Sequence, residues 1–176
     1  MNRRSIIDQI NILKKKINDL NISSNVDVDL TSLTNSINLN TSNLSTNDYR
    51  GTTLIVDGST GGTIAAGQLV YLSSSSVWTL AAANAVGFGE NEILGTALST
   101  TPSTTGILVN GLFKLNTSYI NGGSFTVGAQ VFMHPSTAGS YTSTVPSAVS
   151  QVARVVGHAV SADIIYFNPS QDYIEI

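Results

Sequence analysis

Gly61-Gly62-Thr63-Ile64-Ala65-Ala66-Gly67-Gln68-Leu69-Val70-Tyr71-Leu72 returns later in the chain as Gly122-Gly123-Ser124-Phe125-Thr126-Val127-Gly128-Ala129-Gln130-Val131-Phe132-Met133, at an offset of 61 residues. Glycine falls on glycine and apolar on apolar. With one inserted residue the register continues, Leu94-Gly95-Thr96-Ala97-Leu98 matching Val156-Gly157-His158-Ala159-Val160 at an offset of 62. Two copies of one β unit are therefore the expected body of the protein. A solenoid needs about three stacked repeats to bury a continuous core, so a closed or sandwiched pair of similar halves is the better expectation.

Around the repeat, apolar runs of strand length are bounded by glycine. The expected strands are Thr52 to Asp57, Leu69 to Leu72, Val77 to Ala82, Ile93 to Leu98, Ile107 to Asn110, Leu112 to Leu115, Gln130 to Met133, Val152 to Val160, Ile164 to Phe167 and Tyr173 to Ile176. Gly58, Gly61-Gly62, Gly67, Gly106, Gly111, Gly122-Gly123, Gly128 and Gly139 stand where reversals need positive φ or a close backbone approach. The spacing predicts a mainly β fold, an antiparallel β-barrel or sandwich built from two similar halves.

The amino-terminal third follows another period. Ile6, Ile10, Leu13, Ile17 and Leu20 are spaced 4, 3, 4, 3, a heptad seam with Ile10 and Ile17 at a and Ile6, Leu13 and Leu20 at d. A helix this short is marginal alone, so the seam predicts a coiled-coil helix that associates with copies of itself; docking on its own domain is the alternative. From Asn21 to Asn47 the chain is dominated by Asn, Ser and Thr, yet Val26, Leu30, Leu33, Ile37 and Leu44 persist at spacings of 4, 3, 4 and 7. That is a second, weaker seam, with Asn40 at a core position, while Val26, Val28 and Leu30 also allow extended structure. The expected organisation is a coiled-coil helix over 1–22, a polar stalk or linker over 23–50 and a duplicated β head over 51–176.

Composition narrows the function. Ser, Thr and Asn make up about a third of the 176 residues, while charged residues are 11%, against about 25% in an ordinary soluble domain. Hydroxyl and amide side chains keep a surface wet without charge, and Thr suits extended backbone, as in extracellular or virion β structure. Cysteine is absent, which removes disulfides and thiolate chemistry. Arg3, Arg4, Lys14, Lys15 and Lys16 against Asp8 and Asp19 give the first twenty residues a net charge of +3, and the remainder carries −6. An acidic body repels phosphate, so no nucleic-acid partner is expected. No run approaches the ~20 apolar residues of a membrane span, and Asp8, Gln9 and Asn11 interrupt any signal-peptide core after Arg3-Arg4. Met1 is read as the true start of a chain made in a cytoplasm and kept there until assembly.

Residues that could carry chemistry are few. His158 matches Thr96 in the other copy, an equivalence that suits a structural residue better than a base or ligand, and His134 is expected to be structural as well. Glu90 and Glu92 would share a face if extended, as glycosidase carboxylates do, but their counterparts are Val152 and Arg154 and they are read as a soluble strand entrance. Asp57, Asp163 and Asp172 have no metal-binding spacing, and Asp27-Val28-Asp29 lacks the rest of an EF-hand loop. Gly87-Phe88-Gly89 lacks the third glycine of a dinucleotide site. Ser73 to Ser76 reads as a turn. Trp78, Tyr119, Tyr141 and Tyr173 could stack on sugars, but are expected to pack across strands. No catalytic residue, cofactor or metal is expected, and the protein is read as not an enzyme.

The repeat residues resemble a known group. Gly67-Gln68-Leu69-Val70-Tyr71-Leu72, Gly95 to Ala97, Ile107-Leu108-Val109-Asn110-Gly111, Gly128-Ala129-Gln130-Val131-Phe132, the Gly139 turn and Val156-Gly157-His158-Ala159 look like the small β-barrel modules of tailed-phage virion proteins, among them head fibres, capsid decoration proteins and distal tail-fibre domains. The resemblance covers about residues 52 to 176 and rests on glycine and apolar positions. It implies a non-enzymatic virion component on the capsid exterior, a short trimeric head fibre or capsid decoration protein. Its partners would be itself, as a homotrimer, and a major or auxiliary capsid protein, with Arg3, Arg4, Lys14, Lys15 and Lys16 as candidate capsid anchor. Fewer than ~50 residues precede the head, ~75 Å even if wholly helical, which disfavours a tail fibre. The alternative is a receptor-binding tail-fibre tip contacting host surface glycan. A polysaccharide-degrading tailspike is the third reading.

Overall fold

A computed structural model describes residues 44–84 and 93–176, all within the unit Asn43–Ile176. The chain runs through β1 (Tyr49–Leu54), β2 (Ser59–Thr60), β3 (Leu69–Leu72), β4 (Val77–Leu80), β5 (Ile93–Ala97), a one-turn helix (Pro102–Thr105), β6 (Ile107–Lys114), a 3₁₀ turn (Thr117–Tyr119), β7 (Gln130–Met133), β8 (Tyr141–Thr142), β9 (Val152–Ala153), β10 (Val155–Ala159), β11 (Ile164–Phe167) and β12 (Ile174–Glu175). The expected coiled-coil helix and most of the expected stalk lie outside the described residues. Tyr49 and Arg50, assigned to the stalk, open β1 instead, and Leu44, assigned to the second seam, is buried.

Among the described residues ten strands form one sheet in the order β2-β4-β3-β5-β6-β11-β10-β7-β8, with β1 added on β6, and β9 pairs β12 separately. The expectation of an antiparallel barrel is corrected in two ways. The sheet is mixed, because β2 pairs β4 in parallel. It is also open, because its path ends at β2 and β8, strands of two residues each, too short to ladder together. Single loop hydrogen bonds link the neighbourhoods of those ends: Gly139 N to Ala81 O at 2.8 Å, Leu69 N to Gly139 O at 3.0 Å and Ala83 N to His134 O at 3.0 Å.

The order on either side of β6–β11 repeats: β4-β3-β5-β6, then β8-β7-β10-β11. Registers repeat with it. Leu69 pairs Thr96 and Val70 pairs Gly95, as Gln130 pairs His158 and Val131 pairs Gly157. A bulge at Val156 then shifts the second copy. Ala97 pairs Ile107 as Ala159 pairs Ile165. Leu72 pairs Trp78 as Met133 pairs Tyr141, and each of these buried aromatics meets the preceding segment in parallel, Thr60 with Trp78 and Ile120 with Tyr141.

The turn before each copy is the same device. Gly67 has φ +87° and Gly128 φ +81°, and the amide three residues beyond the start of each turn closes it, Gln68 N to Ala65 O at 3.2 Å and Ala129 N to Thr126 O at 3.1 Å. Positive φ at the third position defines a type II turn, which only glycine enters without strain. Each glycine amide then reaches the equivalent carbonyl, Gly67 N to Ala97 O and Gly128 N to Ala159 O, both at 2.8 Å.

Alternation along the strands sets how the copies pack. In the first, Val70, Ala97 and Ile107 face one way with Trp78 and Ile64 and form a small core of their own. Their counterparts Val131, Ala159, Ile165, Tyr141 and Phe125 all lie in the larger core, together with Leu69, Leu94 and Leu108 from the opposite face of the first copy. The second copy's core face is thus laid against the first copy's back, and the large core is the apolar layer between them.

Two glycines mid-strand explain a further difference. Ile107 to Asn110 and Leu112 to Leu115 were expected as separate strands broken at Gly111; they are one strand, β6. Gly111 pairs Gly51 of β1, and a Cβ on either would overlap the facing carbonyl, Asn110 O for Gly51 and Arg50 O for Gly111. Glycine here permits close approach rather than a turn. The expected strand Val152 to Val160 is divided into β9 and β10 at Arg154, and the final strand is shorter than expected.

Candidate interaction surfaces

Several sequence candidates fall outside the described residues: the seam Ile6, Ile10, Leu13, Ile17 and Leu20, the bases Arg3, Arg4, Lys14, Lys15 and Lys16, the Asp27-Val28-Asp29 run, Gly87-Phe88-Gly89, and Glu90 with Glu92. The rest are placed. His134 braces the loop after β7, its Nδ1 accepting from Ser136 N at 3.1 Å and Thr137 N at 2.8 Å. His158 is exposed on β10 in the register of Thr96. Asp163 pairs with Lys114 at 3.3 Å, both partly exposed, a geometry worth about 0–1 kcal/mol. Among the described residues no three His, Asp or Glu side chains gather, and no helix is long and apolar enough to cross a membrane.

Trp78 and Tyr141 pack in the core rather than facing solvent. The indole N–H of Trp78 donates to Val56 O at 3.2 Å. The Tyr141 hydroxyl lies 2.9 Å from Thr96 Oγ1 in the buried layer between the copies. Burial pushes the Tyr141 phenol well above its ordinary range, with the Thr96 hydrogen bond acting the other way. Arg154, 5% exposed, donates from Nε to Ser170 O at 2.7 Å. Its burial lowers the guanidinium below its ordinary value and the nearby Tyr173 opposes that shift, so Arg154 holds the carboxy-terminal segment against the body.

Sequence reading missed the surface on which the copies differ most. Arg50, Leu112, Tyr166, His158 and Gln130 are paired in succession across β1, β6, β11, β10 and β7. Directly paired residues project to the same side, so the five form one row over the outer face of the second copy. Tyr166 is 40% exposed at its centre, and Asn110 Nδ2 donates to Asn168 Oδ1 at 3.1 Å beside it. The first-copy counterparts of Gln130, His158 and Tyr166 are Leu69, Thr96 and Leu108, all fully buried. A face that is apolar where the other copy covers it has become polar and aromatic where it is open. The cue was available in the aligned repeats, but it required knowing which face was covered.

A second unusual surface is β1. Among the described residues it pairs only β6, and five of its six residues are exposed. Tyr49, 43% exposed, stacks on Phe113 with ring centroids 6.4 Å apart and planes 11° apart. Leu54 and Ile55 are exposed at its far end.

Comparison with protein-family models, with curated proteins and with solved structures finds no match to this chain.

Proposed function

We propose that the chain is a non-enzymatic structural protein of a phage virion, a short trimeric head fibre or capsid decoration protein on the capsid exterior. The observation that supports it most is what the two copies share. Glycine turns, strand registers, parallel bridges and buried aromatics repeat, while the potentially reactive His158 is replaced by Thr96 at the same station. A duplicated scaffold with a low-charge Ser, Thr and Asn surface suits a part made for assembly. The amino-terminal heptad seam supplies the association and the bases beside it the anchor. In this reading the duplicated β body is the head, and its partners are two further copies and a capsid protein.

The test is immunogold labelling of virions with antibody raised against residues 52–176. Label on the head supports the proposal; label confined to the tail tip replaces it with the alternative, a receptor- or glycan-binding tail-fibre tip. The exposed row around Tyr166 favours that second reading, because an aromatic ring flanked by His158, Gln130 and Asn168 offers a stacking face with hydrogen-bonding neighbours. Capsid preparations lacking all host material discriminate further: a decoration protein binds them and a glycan-binding tip does not. Release of reducing ends from host polysaccharide would point to the tailspike instead.

A further inference from the structure

We infer that Asn121–Gly122 is a site of self-modification, where the Gly122 amide nitrogen displaces ammonia from the Asn121 side chain and leaves aspartate or isoaspartate in the second copy. Two Asn-Gly pairs occur in the chain, Asn110–Gly111 and Asn121–Gly122. Glycine is the successor that hinders such an attack least, because no side chain stands beside its nitrogen and its backbone moves freely. The fold separates the two pairs. Asn121 and Gly122 are exposed at the centre of the turn Ile120 to Gly123, which Gly123 N closes on Ile120 O at 2.8 Å, with Gly122 at φ +81°. Positive φ at the third position alone is the type II pattern, which leaves the amide between the central residues outside the closing hydrogen bond. No acceptor among the described residues takes the Gly122 amide, and nothing lies within 4 Å of a Cβ placed there. Asn110, by contrast, is held in β6, where Gly111 pairs Gly51 on one edge and Phe167 on the other. Its Nδ2 donates to Asn168 Oδ1 at 3.1 Å, whereas Asn121 Nδ2 reaches Thr142 Oγ1 only at 3.4 Å, beyond the usual ~2.7–3.2 Å.

The step needs only water. Gly122 N loses its proton to solvent base as it bonds to Asn121 Cγ, the Cγ–Nδ2 bond breaks, and Nδ2 leaves as ammonia with a proton from water. Water then opens the cyclic imide at either carbonyl, giving aspartate on the original backbone or isoaspartate with the main chain routed through the side chain; nothing is oxidised or reduced. The position gives the change a structural effect. Asn121 N donates to Tyr141 O at 2.9 Å, and buried Ile120 beside it bridges Tyr141 in parallel. Isoaspartate lengthens the backbone at that join and loosens this segment from Tyr141. The first copy carries Thr60–Gly61 at the same station, with no side-chain amide to lose, so the change is confined to one half.

Full-length protein held in mildly alkaline water labelled with heavy oxygen, then digested and mapped by mass spectrometry, gives the test. The folded protein should take up labelled oxygen at position 121 as two products of equal mass, aspartate and isoaspartate. The rate should exceed that at Asn110 by about 100-fold or more, because a strand bonded on both edges reacts only through rare local opening. In urea, where the fold no longer protects Asn110, the two sites should convert at similar rates. Converted protein, separated by its added negative charge, should unfold at lower urea than the parent. No conversion at Asn121 in the folded protein, equal folded rates at the two sites, a gap that persists in urea, or a single product without isoaspartate overturns the site. Equal unfolding midpoints overturn the loosening at Tyr141.

Discussion

The hydroxyl of Tyr141 in the second copy meets the hydroxyl of Thr96 in the first at 2.9 Å, within the apolar layer where the copies face each other. It is a polar clasp in a buried layer, and its register counterparts do not reproduce it: Trp78 stands for Tyr141 and reaches Val56 O, while exposed His158 stands for Thr96. The duplication was thus modified where the halves join. Tyr141→Phe should destabilise by about 1–3 kcal/mol, because it leaves the Thr96 hydroxyl buried without its partner. Tyr141→Phe with Thr96→Val should recover most of that loss. Urea unfolding of the two singles and the double measures the coupling, and additive effects would show that the hydroxyls act independently.

The same group predicts a pH dependence. The folded phenol is raised above its ordinary value, whereas in the unfolded chain it ionises near pH ~10. Its contribution is fully present below ~10, and above that the unfolded state sheds a proton that the folded state keeps, so stability falls as pH rises. Unfolding midpoints between pH 9 and pH 11.5 should decline more steeply in the parent than in Tyr141→Phe. Equal slopes would remove Tyr141 as the cause.

Glycine substitutions should separate conformational need from close approach. Gly128→Ala carries only the φ penalty, about 1–2 kcal/mol, since nothing lies within 4 Å of the added Cβ. Gly67→Ala adds crowding against Phe113 and Asn47 at 3.3 Å and should cost more. Gly51→Ala meets backbone that cannot move aside and should be the worst of the three, exceeding about 3 kcal/mol. Denaturation midpoints in any other order would disprove this account of the turns and of the β1–β6 approach.

Much of the body was legible because glycine and alternation are local signals. Leu69–Leu72, Gln130–Met133 and Ile164–Phe167 were read to the residue, and the matching of Gly67 with Gly128 extends to their hydrogen bonds. What was misread depends on distant partners. Gly111 looked like a break because its close neighbour, Gly51, lies on another strand. Trp78 and Tyr141 were not aligned because the loop from β7 to β8 is longer than that from β3 to β4. Tyr166 hid in the apolar run Ile164–Phe167, where period alone cannot say which face is open. The parallel β2 pairing has no sequence signature in two residues.

Attachment through the amino-terminal bases has a salt signature. Arg3, Arg4, Lys14, Lys15 and Lys16 form the concentrated positive charge of a chain whose remainder is acidic. If they hold the protein on a capsid, binding should weaken as added salt shortens the screening length to ~8 Å and below. Sedimentation of the protein with purified capsids at increasing salt provides the measurement. Binding that ignores salt, or that survives neutralising all five bases, rejects the anchor.

The oligomer is the prediction on which the fibre reading depends. Ile at a with Leu at d favours two parallel strands, whereas Ile6 at d pulls toward three, and two heptads settle little between them. A threefold arrangement covers more of each low-charge body in a chain that has no disulfide to hold it. The full-length protein is therefore expected to be a parallel homotrimer, with a mass by light scattering near three times 18.5 kDa. Ile10→Asp with Ile17→Asp should dissociate it or fray the stalk, since each carboxylate would lie unpaired in an apolar seam. A parent mass near two chains keeps the coiled coil and removes the trimer. A parent mass near one chain removes the fibre altogether, and a double variant that assembles like the parent removes the seam as its cause.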